Sequence, residues 1–188
     1  MPRRLFVFED PDRFATGTVG QPGNRTFFLQ ARSGGRVVSV VIEKTQVSAL
    51  AERLGQLLVE LDQQGVVADP STPIDPDERP LDEPLNEAFR TGSLTLGWDG
   101  EVERVLVEAR AQIEVESIEE AIEALQVDDD DEDGPDLLRV HLTPDAARAF
   151  VEQAQRVVRA GRPTCPICGN PLDPGGHICP RKNGQYIH

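Results

Sequence analysis

The chain has 188 residues, 38% hydrophobic and 28% charged, with a net charge of -14 at pH 7. That is enough apolar material for one ordinary core plus an appendage and too little for two full-sized domains, and it excludes a fibrous, disulfide-rich or wholly disordered chain. Thirty-three acidic against nineteen basic residues repel phosphate backbones and anionic lipid, so nucleic acid is a disfavoured partner. No apolar run approaches the ~20 residues needed to cross a bilayer, so no membrane span is expected.

Leu5 to Phe8 and Phe14 to Val19 read as short strands separated by the turn chemistry of Asp10-Pro-Asp12. Met1 to Arg4 leads straight into the first of them, and no secretory signal is expected. Arg25 to Arg32 and Arg36 to Glu43 flank Ser33-Gly34-Gly35, the composition of a tight hairpin turn. Thr45 then offers a hydroxyl cap, and Leu50, Leu54, Leu57, Leu58 and Leu61 recur at helical spacing, predicting a helix over 46–63 that Gly65 terminates. Five prolines between positions 70 and 84 sustain neither helix nor sheet ladder, and a hydrated Pro-rich linker is expected over about 66–86.

Phe89 to Trp98 and Glu101 to Glu116 flank Asp99-Gly100 and form a second hairpin, with Val105, Val107, Ala109 and Ala111 marking one buried face. Ser117-x-x-Glu120 has capping-box spacing before a short helical stripe, and the six acids from Asp128 to Asp133 predict a solvated acidic loop over about 127–136. Leu137 to Leu142 is a last strand. Thr143-Pro144 opens a second long helix, with Phe150, Val151, Ala154, Val157 and Val158 on its buried face. The first 160 residues therefore form the body.

An internal repeat is visible: Phe14-Ala-Thr-Gly-Thr-Val19 resembles Phe89-Arg-Thr-Gly-Ser-Leu94, and the two long helices match apolar positions at Leu50 and Phe150, Leu54 and Ala154, Leu57 and Val157. Hairpins outnumber strand-helix-strand units. The expected architecture is α+β, a mainly antiparallel sheet in two pseudo-repeated halves with two long helices on one face.

Residues 161–188 hold prolines and glycines but too little apolar side chain for a core, so this tail needs a staple. Cys165-Pro-Ile-Cys168-Gly places two thiolates at the spacing of a zinc knuckle, and His177 and Cys179 complete a Cys3His set, the ligand count of a closed structural zinc site. A redox pair is the competing reading, but Pro171, Pro174, Gly175 and Gly176 forbid the helix that such a motif opens. Three clustered cysteines argue against a secreted disulfide framework and fit a reducing cytoplasm. His141, at a strand end, is a weak candidate base, and His188 a weak substitute ligand.

The tail from Cys165 to Gly184 and the Phe-Glu-Asp-Pro-Asp-Arg-Phe-x-Thr-Gly-Thr start at Phe8 to Thr18 carry a resemblance to a bacterial family catalogued as a domain of unknown function. The resemblance spans essentially the whole chain. It implies genes that tend to neighbour those of a histidine-phosphatase-like and a lipid-kinase-like protein, hence a shared pathway or complex, and it assigns no catalytic residues.

From Arg156 onward five basic residues face one acid, Asp173, so this end carries +4 against -18 for the rest. Arg162, Arg181, Lys182 and Asn183 are thus candidate contacts for an anion or an acidic partner. Three functions follow: a non-enzymatic zinc-binding module that contacts a protein partner, which the sequence favours; an enzyme acting on a phosphorylated small molecule between body and tail; and a nucleic-acid-binding ribbon. A closed Cys3His shell leaves zinc no open position for water, which counts against the second. The acidic body counts against the third. A converging pocket of titratable groups would favour the enzyme and an apolar surface beside the tail the contact module.

Overall fold

The computed structural model describes residues 3–21, 23–66, 77–113, 134–160 and 167–168. Among the described residues, seven strands and two helices follow in chain order: β1 (Leu5–Phe8), β2 (Arg13–Val19), β3 (Thr26–Ser33), β4 (Arg36–Ile42), α1 (Lys44–Gln63), β5 (Glu87–Asp99), β6 (Arg104–Ala111), β7 (Leu137–Leu142) and α2 (Pro144–Arg159). The fold is α+β, as its hairpin-rich pattern predicts. The short helix expected after Ser117 and the six acids from Asp128 to Asp133 lie outside the described residues.

The strands form one sheet in the order β1-β7-β6-β5-β4-β3-β2, antiparallel except where β1 joins β7 and β4 joins β5. Each half is a three-stranded meander followed by a helix, β2-β3-β4-α1 and then β5-β6-β7-α2, and the halves abut through the parallel β4–β5 junction. The repeat in sequence is therefore a repeat in space. Phe14 and Phe89 are equally buried, and Leu50, Leu54, Phe150 and Ala154 all belong to one core.

Local chemistry explains the elements. In β3 and β4, Leu29, Ala31, Val38, Val40 and Ile42 alternate onto the core, and Gly34, at a φ of 56°, makes the turn between them. Val47, Leu50, Ala51, Leu54, Leu58 and Leu61 form the buried stripe of α1. That helix begins two residues earlier than expected, because Glu43 and Gln46 form a reciprocal capping box in place of a Thr45 cap. In α2 the expected cap holds, with the Thr143 hydroxyl accepting from Ala146 N–H at 3.1 Å and Pro144 opening the first turn.

The sheet is coiled rather than flat. β1 and β2 are its two edges, yet only residues 9–12 connect them, a reach of at most about 18 Å, whereas a flat seven-stranded sheet is about 29 Å wide. The opening between the edges is closed by side chains. Arg36 donates to the Val7 carbonyl at 3.2 Å and stacks on the Phe8 ring at 4.8 Å, while α2 covers β2, with Phe150 against Phe14 at 4.7 Å.

The second half of the Pro-rich stretch is a docked strap. The Arg13 guanidinium, almost fully buried, donates to the Asp77 carboxylate at 2.6 Å, to the Pro80 carbonyl at 2.8 Å and to the Arg79 carbonyl at 2.7 Å. Gln30 pairs with the Asp82 backbone in both directions, at 3.0 and 2.8 Å. Two polar strand residues thus supply the partners that the strap backbone requires. Residues 77–86 are consequently fixed on the sheet, where the composition suggested a hydrated spacer.

Candidate groove at the root of the tail

Beside the β2 edge, the strap and the last turns of α2 enclose a groove of about 440 Å³. Thr16 to Val19 form its floor, with residues 77–85 along one wall and Gln153, Arg156, Val157 and Ala160 along the other. Gly17 allows a close approach here: a Cβ at that position would lie 2.7 Å from Cγ of Leu81, a side chain that would have to shift. The absence of a side chain lets the strap lie against β2.

Three contacts set the groove's shape. Gln153, buried on α2, accepts from Thr16 N–H at 3.0 Å, so the helix answers a strand amide that points away from β3. Arg156 Nη1 donates to Glu78 at 3.2 Å and links helix to strap. Arg25, on the β2–β3 hairpin, donates to the Ala160 carbonyl at 2.9 Å and holds the end of α2 where residues 161–188 begin.

Asp77 pairs with Arg79 and Arg13 and Glu78 with Arg156 Nη1, while Arg156 Nε and Nη2 are buried without a hydrogen-bond partner among the described residues. Asp77 accepts from both Arg79 and Arg13, and these guanidinium hydrogen bonds, Arg79 foremost, hold its carboxyl far below the usual carboxylate range. The same pairing raises the Arg79 pKa. Val19, Leu81, Leu85 and Val157 supply apolar surface, and Glu78 and Glu83 give the strap side an acidic rim. Apolar walls, a strand-edge floor and unpartnered Arg156 donors suit the binding of a peptide segment.

Of the tail residues singled out in the sequence, the described structure includes Cys168, half-buried in a turn with Ile167. Cys165, His177, Cys179, Arg162, Arg181, Lys182, Asn183 and His188 lie outside the described residues. Among the described residues no group of three His, Cys, Asp or Glu side chains is placed to hold a metal ion, and no helix is long and apolar enough to cross a membrane. His141 is 12% exposed at its side chain, 3.0 Å from the Glu9 carboxylate, and is not part of the groove.

Sequence reasoning did not identify Arg13, Gln30, Gln153 or the groove. The available signal was weak: a glutamine at the helical spacing of Phe150 and Val157, and an arginine and a glutamine inside otherwise apolar strands. Glu108 was equally hidden. It is 4% exposed on β6 and accepts from Arg139 at 2.6 Å and from Arg110 at 3.2 Å.

Fold and groove define an α+β protein of two tandem three-strand-and-helix halves with a peptide-sized cleft where its tail departs. The chain belongs to the family described as protein of unknown function DUF3090, whose model matches residues 6–179. Neither the curated proteins nor the solved structures gave a match.

Proposed function

We propose that the chain is a non-enzymatic zinc-binding protein whose stapled tail, together with the acidic body, contacts a protein partner. The observation that carries this reading is the groove at the root of the tail, apolar in its walls and with Asp77, Arg79, Glu78 and Arg156 engaged with one another. Asp77 and Arg79, committed to each other, are poorly placed to bind and turn over a small anionic substrate. The zinc ligands are Cys165, Cys168, His177 and Cys179, all within the span of the family match. Three thiolates and an imidazole suit a tetrahedral structural zinc, which offsets the ordering entropy of a glycine- and proline-rich segment. Arg162, Arg181, Lys182 and Asn183 form the edge that meets an acidic partner.

Elemental analysis of protein purified without chelators is expected to give about one zinc per chain, and Cys168→Ser to lose it while the body stays folded. Partners co-purifying with the wild type are expected to be lost from an Arg181→Ala, Lys182→Ala double variant of unchanged zinc content. Metal-free wild-type protein overturns the zinc assignment. A double variant that keeps every partner overturns the contact edge.

A further inference from the structure

We infer that the groove beside β2 receives an extended segment of a partner protein that carries a single aspartate or glutamate between apolar side chains, its carboxylate seated on the Nε and Nη2 edge of Arg156 and its main chain running along β2. This rests on the reading above for the existence of a protein partner and adds the kind of segment that the body recognises; it uses neither zinc nor the basic edge of the tail.

Three observations converge. The first is a pair of unanswered donors. Arg156 Nε and Nη2 are buried and have no hydrogen-bond partner among the described residues, whereas Nη1 donates to Glu78 at 3.2 Å. Those two N–H groups are the fork that holds a carboxylate bidentately, and a guanidinium can serve one carboxylate on each edge. A buried donor without an acceptor is unfavourable, so an incoming acceptor relieves a penalty as well as making a bond. The side chain has room to turn, being 41% exposed and tethered only to Glu78, itself 77% exposed, a surface pair that holds it weakly. Arg79 and Arg13 are placed differently: Arg79 commits Nε and Nη2 to Asp77 at 2.9 and 3.0 Å, and Arg13 is committed to Asp77 and the strap carbonyls. The second observation is charge. Asp77 is neutralised by those two arginines, but Glu78 and Glu83 also line the groove. One further carboxylate is matched by the open edge of Arg156, whereas a dianionic phosphate or a run of acids would set excess negative charge against Glu78 and Glu83. The third is the strand edge. Thr16 N–H points away from β3 to reach Gln153, and the two-residue alternation of a strand sends Thr18 N–H to the same side, towards the groove, where an extended segment gains main-chain hydrogen bonds. The walls lie on opposite faces of β2: Gly17 meets Leu81 of the strap, and Phe14 meets Phe150 of α2. Alternate side chains of a segment laid along β2 therefore face Arg156 and Val157 on one wall and Leu81 and Leu85 on the other, which places the acid between two apolar neighbours.

Selection of a phage-displayed library of random eight-residue peptides against the full chain, with zinc content measured on the same sample, tests this. Enriched peptides are expected to carry one Asp or Glu with an apolar residue on each side, and further acids are expected to be depleted. The synthetic consensus peptide is expected to bind Arg156→Met at least about ten-fold more weakly than wild type, with Arg156→Lys in between. Leu85→Asp, on the other wall, leaves Arg156 in place and is expected to weaken binding by a similar factor. Bound to the wild type, the peptide is expected to slow exchange of the Thr18 amide about ten-fold, with α1 amides unchanged. Enriched peptides without the acid overturn the inference, as do an acid equally favoured on Arg156→Met and a Thr18 amide that the peptide leaves unprotected. Tighter binding when phosphoserine replaces the acid overturns it in favour of a phosphopeptide, and Thr18 protection that rises with protein concentration before peptide is added overturns it in favour of a second copy of the chain. Metal-free protein with the peptide results intact sinks the zinc reading alone, and zinc-loaded protein without an acidic consensus sinks this inference alone.

Discussion

Gln153 of α2 accepts a 3.0 Å hydrogen bond from the backbone N–H of Thr16, a residue 137 positions earlier in the chain. Both are buried, Thr16 at 2% and Gln153 at 5% exposure. The bond joins the last helix to the edge strand of the first repeat, and so ties the two halves together where no strand pairing does.

Gln153→Met keeps the side chain's length but leaves the Thr16 amide buried without an acceptor. The expected cost is about 1–3 kcal/mol, read as a lower urea midpoint with an unchanged slope. An unaltered midpoint would show that solvent reaches this amide.

Arg13→Met on β2 is expected to be the single change most damaging to strap docking. It leaves the Asp77 carboxylate and two strap carbonyls without their buried donor, a loss of about 3–5 kcal/mol. Limited proteolysis should then cut within residues 77–86 while α1 stays intact. Arg13→Lys keeps the charge but not the planar fork and should fall between the two.

Asp77 links strap docking to pH. Its carboxyl is held low in the folded protein, so its contribution is complete above the unfolded value of about 4 and is lost as the pH falls below that towards the depressed folded value. Asp77→Asn should therefore be destabilised relative to wild type at pH 7, with the gap narrowing steadily as the pH falls from about 4 towards 2. Denaturant unfolding across this range checks the sign; a constant gap would mean that the carboxylate charge contributes nothing.

Gly17 and Gly92 occupy equivalent places in the two repeats but tolerate alanine differently. At Gly92 a Cβ would lie 2.8 Å from Cα of Gln112, which is backbone, whereas at Gly17 the neighbour is the Leu81 side chain. Gly92→Ala should cost about 2–3 kcal/mol and Gly17→Ala about 1 kcal/mol, since a side chain yields more readily than a ladder. Equal costs would show that the strap over Gly17 is as rigid as the sheet.

The elements themselves are legible in the sequence because their signals are local. Alternation in Val105, Val107 and Ala109, the turn at Gly34, the Thr143-Pro144 cap and the leucine stripe of α1 each need only a few neighbouring residues to be recognised. The repeat was readable for the same reason, since equivalent burial demands similar side chains at Phe14 and Phe89 and at Leu54 and Ala154. The chemistry of the tail is also written locally, in the spacing from Cys165 to Cys179.

What tertiary structure alone decided is where non-neighbouring groups meet. No periodicity distinguishes a polar residue facing water from one facing a buried backbone amide, so Arg13, Gln30 and Gln153 read as ordinary hydrophilic positions. Likewise, β1 and β2 are adjacent in sequence yet lie at opposite edges of the sheet, because β1 takes β7 as its partner and the sheet coils to bring those edges together. The groove lies where the strap and the end of α2 meet the β2 edge. Its walls come from a strand edge, a proline-rich strap and a helix end, each of which must satisfy buried hydrogen-bonding groups that its own segment leaves unpaired.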